Sequence, residues 1–262
     1  EWHKELFSYA KKLNIKIFST PFTVDAVDFL EKLNCKAYKI ASFEMNDLNL
    51  IKRVSKTGKP VIISTGLASL NEIETSFNVA KMNGCHDITL LYCVSNYPSS
   101  QGDFNLNNIK ILKDKFNCRV GLSDHSIGND IAKLSIALGA EIFEKHIALK
   151  NQKKGHDIKF SAKGSDIKKY KDELIKTSKL FEKYSFFRSK KEMKNIIFRR
   201  SIYARINIKK DEIFTEKNIY TLRPNIGLAA NYYPFILGKK SPIIIKKNSV
   251  LKKSILNNLK KK

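Results

Sequence analysis

The chain has 262 residues, 42% of them hydrophobic, with 49 basic against 25 acidic side chains and a formal net charge of +24. This length accommodates one large domain and one small one, and no stretch nears the run of about 20 apolar residues that a membrane span requires. Only seven of the basic residues are arginine and the lysines are scattered, which weighs against nucleic acid as a partner; the basic field favours small anionic substrates instead.

In chain order, Glu1 falls inside a helical spacing of Leu6, Phe7, Ala10 and Leu13, with neither an initiator methionine nor a signal peptide. A cytoplasmic protein is expected, and a sequence that starts mid-pattern. Short apolar runs follow at 16–20, 37–40, 61–64, 88–92, 119–122 and 141–144. Between them lie helical patterns at 24–33, 48–56, 70–82, 106–116 and 129–138, and a further helix is predicted over 166–182. This alternation predicts βα units and a parallel sheet, with Gly58-Lys59-Pro60, Gly84 and Gly139 as turns. Residues 1–185 therefore form one α/β domain and the basic, aperiodic stretch 186–198 a linker. Residues 199–257 hold β-like runs at 201–206, 219–222 and 241–245, a small β-rich domain, and 258–262 reads as a frayed tail. Cys35, Cys85, Cys93 and Cys118 form no CxxC pair, so free, buried thiols are expected.

Each predicted strand of the large domain ends on polar or titratable groups. Thr20 ends the first, Lys39 and Ser42 bracket the second, and Ser64-Thr65-Gly66 ends the third. Ser95-Asn96-Tyr97, Ser123-Asp124-His125 and Lys145-His146 follow the fourth, fifth and sixth. A (β/α)8 barrel builds its active site on that rim, whereas an open doubly wound sheet does so only at its switch point. A barrel is therefore predicted. Eight strands are needed and six are counted, so two βα units are expected to be missing from the amino end.

His125 and His146 end adjacent predicted strands, so both imidazoles can enter the mouth and hold a divalent metal that acts as a Lewis acid on a carbonyl. Two histidines bonded to nearby backbone explain the same pair without metal. Lys39 with Thr20, Ser42, Ser64, Ser95 and Ser123 makes a ring of donors around one cation, suited to a phosphate ester or phosphoenolpyruvate. Strand-end capping explains any one of these hydroxyls, though less well all of them on one rim. Glu44 and Asp157 are candidates for substrate hydroxyls or proton transfer, and either alone is also explained as a solvated carboxylate. His3, His86 and His156 have no placement that favours a role.

The strings Phe18-Ser19-Thr20-Pro21-Phe22, Tyr38-Lys39-Ile40-Ala41-Ser42-Phe43-Glu44, Ser64-Thr65-Gly66, Tyr97-Pro98, Gly121-Leu122-Ser123-Asp124-His125 and Glu144-Lys145-His146 resemble the sialic-acid synthase family, in its order and at its intervals. Phe43 looks like the pseudaminic-acid branch. Arg205, Ile208-Lys209-Lys210, Leu222-Arg223-Pro224 and Leu237-Gly238-Lys239 are similar to the family's antifreeze-like SAF domain. The resemblance implies that His125 and His146 are metal ligands, for Mn2+ with Mg2+ or Co2+ as alternatives. It implies that Thr20, Lys39, Ser42, Ser64, Ser95 and Ser123 surround phosphoenolpyruvate, with Ser95 standing where relatives often carry asparagine. Tyr97, Glu44 and Asp157 match sugar-facing positions, and Arg223 matches an arginine that a domain-swapped homodimer inserts over the partner's sugar. The family's glutamate and second phosphate-binding lysine, on its two earlier strands, are absent here.

What this implies is an aldol-type transferase. It would join phosphoenolpyruvate to a 2,4-diacetamido-2,4,6-trideoxyhexose and add water, giving a nonulosonic acid and phosphate. Glu44 is the catalytic candidate on this chain. The alternatives are an N-acetylneuraminate or legionaminate synthase, another metal-dependent barrel aldolase, or an inactive fragment serving as a binding subunit.

Overall fold

The computed structural model describes residues 2–260, and the chain divides into two units, Glu1–Lys183 and Tyr184–Lys262. In the larger unit, α1 (His3–Lys12) and α2 (Val24–Lys32) precede β1 (Tyr38–Ile40). There follow α3 (Leu48–Ser55), β2 (Val61–Ser64), α4 (Leu70–Met82), β3 (Ile88–Cys93), α5 (Asn107–Phe116), β4 (Arg119–Asp124), α6 (Asp130–Ala137) and β5 (Ile142–Lys145). A short pair, β6 (Ile147–Ala148) with β7 (Ala162–Lys163), leads into α7 (Ser165–Ser178).

The five strands β1 to β5 are all parallel and lie side by side in chain order. Every crossover advances the sheet by one strand in the same direction. A doubly wound sheet reverses at its switch point, so this curled α/β sheet is the half-barrel alternative. The run at 16–20, read above as a strand, contributes only one parallel bridge, Ser19 to Tyr38. Pro21 follows with no N–H to extend the ladder.

Local chemistry sets the helix boundaries. Ser69 and Glu72 form a capping box at the start of α4, and Thr23 and Asp47 accept from backbone N–H groups opening α2 and α3. Strand periodicity then sorts the faces. Tyr38, Ile40, Val61, Ile63, Ile88, Leu90, Val120 and Leu122 pack against Val27, Ile51, Val54, Phe77, Ile109 and Leu112 from the helices in one core. Each such buried large side chain contributes about 1.5–3 kcal/mol. The other face carries the polar residues described below.

In the smaller unit, α8 (Lys190–Lys194) precedes β8 (Ser201–Ala204), which pairs antiparallel with β9 (Ile219–Leu222); α9 (Tyr233–Ile236) and α10 (Ser254–Lys260) follow. Ile202, Ile208, Phe214, Leu228, Ile236, Ile245 and Leu251 fill its core. Residues 186–198, read above as a linker, hold α8, capped by Ser189, and a 3-10 turn, Asn195–Phe198. One expectation is corrected here. The run 241–245 is not a strand: Pro242 cannot donate to a ladder, and the segment pairs through one isolated bridge, Ile208 to Ile245. The tail at 258–262 is helical as far as Lys260, and 261–262 lie outside the described residues. Cys35, Cys85, Cys93 and Cys118 are free thiols, the first three buried. No described helix is long and apolar enough to cross a membrane.

Candidate active site

Register builds the site in layers. Ser64, Leu91, Gly121 and Ile142 lie side by side across β2 to β5, and one step further along come Cys93, Ser123 and Glu144. Residues two apart on a strand share a face, so Ser95, His125 and His146 follow on the same side. Gly121 is required in the lower layer. A Cβ there would lie 2.1 Å from the Ile142 carbonyl oxygen and 2.7 Å from Leu91 Cδ2.

Lys39, only 6% exposed, reaches along this face. Its Nζ donates to Ser64 Oγ at 2.7 Å and lies 3.3 Å from Glu144 Oε1, which accepts from Ser123 Oγ at 2.6 Å. Ser42 Oγ meets Cys93 Sγ at 3.0 Å. Gly66 has φ +20°, and a Cβ at this position would fall 2.5 Å from both Ser42 Cβ and Ser95 Oγ, so these two serines converge on its backbone. Lys39, Ser42, Ser64, Ser95 and Ser123 thus come together. Thr20 has no hydrogen bond to this group among the described residues; it lines another cavity with His3, Phe18 and Phe29. Glu44 Oε2 is buried without a hydrogen-bond partner, an arrangement that costs free energy unless a ligand supplies the partner.

The two imidazoles lie 5.4 Å apart between ring centroids, at 64°. His125 Nδ1 donates to the Val94 carbonyl at 2.9 Å, leaving Nε2 as the acceptor nitrogen, 3.5 Å from Ser123 Oγ. Burial pushes the His125 pKa below the usual imidazole value, and a positive charge on His146 pushes it the same way. The ring is therefore neutral at neutral pH. His146 Nδ1 faces Asp157 Oδ2 at 3.4 Å. Tyr97 packs on His125 at 4.3 Å, and Phe160, 3% exposed, contacts both imidazoles at 6.0 and 5.0 Å. Burial raises the Tyr97 pKa, so the phenol keeps its proton. Arg223 is exposed in the smaller unit.

No group of three or more His, Cys, Asp or Glu side chains suited to a metal occurs among the described residues; the donor set is the imidazole pair. Each Nδ1 is set against an oxygen acceptor, as is usual for metal-ligating histidines, whose other nitrogen binds the ion. The residues therefore fit a divalent ion with two imidazole ligands and positions left for water or substrate oxygens.

Glu144 and Phe160 were not singled out from the sequence. Glu144 was accessible to the period of two, since it precedes His146 by two positions on a strand. Phe160 arrives from the loop between β6 and β7, where no periodicity marks it.

The NeuB family profile matches residues 1–185. A pseudaminic acid synthase from Helicobacter pylori is 42% identical over 253 residues, covering 96% of this chain and 74% of that protein. An N,N'-diacetyllegionaminic acid synthase from Campylobacter jejuni is 42% identical over 240 residues, 90% of this chain and 72% of its own length. Among solved structures, the N-acetylneuraminic acid (sialic acid) synthetase of Leptospira borgpetersenii superposes with a TM-score of 0.69 at 34% identity, covering 74% of this chain and 67% of that one. With sequence, site and fold in agreement, the chain belongs to the NeuB family.

Proposed function

We propose that the chain acts as a pseudaminic acid synthase, condensing phosphoenolpyruvate with a 2,4-diacetamido-2,4,6-trideoxyhexose and water to give a nonulosonic acid and phosphate. The observation that carries this reading is the convergence of Lys39 and the two imidazoles on one sheet face, with Glu144 and Ser123 linking Lys39 to His125 and the His146 ring against that of His125. A cation among hydroxyls suits a phosphate ester, and an imidazole pair suits a divalent ion. The Helicobacter pylori relative supports the choice of product. The Campylobacter jejuni relative supports a second reading, the legionaminic product.

In this mechanism Lys39 and Ser64 hold the phosphate, and Ser42, Ser95 and Ser123 add donors preorganised for its charge. Manganese, with magnesium or cobalt as alternatives, held by His125 and His146, would supply Lewis-acid polarisation of the sugar aldehyde. Tyr97 and Asp157 face the sugar, and Glu44 offers its unpartnered oxygen to a substrate hydroxyl or a proton. Phe160 and Tyr97 limit the access of bulk water to the imidazoles. C3 of phosphoenolpyruvate forms the new bond to C1 of the sugar, water adds at C2, and breakage of the C2–O bond releases phosphate. The parallel sheet is part of a (β/α)8 barrel and the smaller unit is a SAF-type domain. In a domain-swapped cytoplasmic homodimer, Arg223 of the partner subunit covers the sugar.

The test is phosphate release from phosphoenolpyruvate with the diacetamido sugar, with and without Mn2+, alongside phosphoenolpyruvate binding. Release is expected to need both sugar and metal and to vanish in His125→Ala. Release that ignores this substitution, or binding that ignores Lys39→Ala, overturns the reading. Mass spectrometry and NMR of the products from each diacetamido sugar separate the pseudaminic from the legionaminic reading.

A further inference from the structure

Asp124 and Lys145 each immediately precede one of the two imidazoles. Neighbours on a strand alternate faces. With Ser123 and His125 turned to the mouth, Asp124 turns towards the helices, and so does Lys145 between Glu144 and His146. On that side Lys145 Nζ lies 2.9 Å from Asp124 Oδ2, the two side chains being 7% and 0% exposed. Asp124 Oδ1 accepts from the Ser126 backbone N–H at 2.9 Å and from Ser126 Oγ at 2.6 Å. Its Oδ2 also accepts from the Tyr170 hydroxyl of α7 at 3.3 Å. Lys145 Nζ donates in addition to the Ser126 carbonyl. One carboxylate thereby ties together β4, the turn after His125, β5 and α7.

Stability alone explains this network poorly. Burying an ion pair costs desolvation that offsets most of its attraction, and apolar residues of similar volume often serve as well or better. What an apolar pair lacks is direction. Charge-assisted hydrogen bonds have narrow geometry, and these fix two strand ends one residue before the imidazoles.

We propose that the buried Asp124–Lys145 pair, locked by Ser126 and Tyr170, is a positioning device that sets the spacing and direction of His125 and His146 for a shared divalent ion. Both residues act through the imidazoles. The inference rests on the metal reading given above, and the experiment keeps the two apart.

Mn2+ binding to the full chain is followed by the loss of the free-ion EPR signal, with circular dichroism and melting recorded for every variant. Wild type is expected to bind Mn2+, and Lys145→Met to bind about 10- to 100-fold more weakly, the range for lost outer-shell partners of metal ligands. Lys145→Arg, which keeps the charge and the donors, restores most of that loss, and Tyr170→Phe, which removes a single hydrogen bond, shows a smaller loss in folded protein. Wild type that binds no Mn2+ removes the metal reading and this inference with it. Wild type that binds, with folded Lys145→Met and Tyr170→Phe within twofold of it, removes the positioning role alone. Should Lys145→Met fail to fold, Tyr170→Phe and Lys145→Arg decide: loss in the first with retention in the second supports the role, and no loss in Tyr170→Phe overturns it.

Discussion

Replacing Lys39 by methionine keeps the length of the side chain and removes its charge and donors. In the folded protein Nζ is shared between Ser64 Oγ at 2.7 Å and Glu144 Oε1 at 3.3 Å, so two effects add when phosphoenolpyruvate binds. A charge-assisted hydrogen bond to the phosphate, worth about 1.5–3 kcal/mol, disappears, which corresponds to roughly 10- to 150-fold in affinity. The Glu144 carboxylate, stripped of its cation, then repels the phosphate and deepens the loss. The fold is spared, because Glu144 is 38% exposed and keeps the bond from Ser123, so water and that hydroxyl still solvate it. Calorimetric titration with phosphoenolpyruvate, without sugar, measures the effect on wild type, Lys39→Met, and the double variant with Glu144→Gln. The double variant is expected to bind more tightly than Lys39→Met because the repulsion is gone. Affinity of Lys39→Met within twofold of wild type, or a double variant no better than the single one, refutes the reasoning.

Glu31 predicts a pH dependence. It accepts from the Tyr38 hydroxyl and from Lys59 Nζ; burial alone would raise its pKa, but the bonds from Lys59 and Tyr38 outweigh burial and hold it below 4.5. The folded value is the lower, so the unfolded chain takes the proton first, and stability is lost as pH falls from about 4.5 through the folded value; urea melts across that window should be flattened by Glu31→Gln. Gly121→Ala forces a methyl onto the Ile142 carbonyl and Leu91 and should cost about 1–3 kcal/mol, read as a lower urea midpoint with the slope unchanged. Ser69→Ala removes the side-chain acceptor for Glu72 N–H that opens α4, a loss of about 1 kcal/mol, measurable in the same melts without change in phosphoenolpyruvate affinity.

The parts of the architecture that follow from periodicity were legible in the residues. The strand at 61–64, the helix at 70–82 and the strand at 219–222 stand where alternation and helical spacing put them. His125 and His146 were legible as a pair for the same reason, since each ends an adjacent parallel strand. The apolar run at 241–245 misled, because Pro242 breaks the pairing and only Ile245, buried in the core, keeps a single bridge, to Ile208. The run at 16–20 was read as a strand ending on Thr20, but it shrinks to one bridge, Ser19 to Tyr38. Phe160 could not be read from the sequence, because a loop that folds back over a site leaves no periodic trace.

The alternation of faces also explains how one short sheet keeps two kinds of charge apart. Lys39 and Glu144 face the mouth, where Glu144 stays partly in water and each has hydroxyl partners able to exchange for a ligand. Asp124, next to Ser123, and Lys145, next to Glu144, face the helices, where both side chains are buried and their bonds are made within the protein. A one-residue slip of β5 against β4 would exchange these sets, placing Glu144 against Asp124 and Lys145 in the mouth. Like charges would then be buried together and the imidazole would turn from the site. The register that brings His125 and His146 together is thus the one in which each buried charge also finds its opposite, so that the geometry the chemistry needs and the electrostatics the fold tolerates select the same pairing of strands.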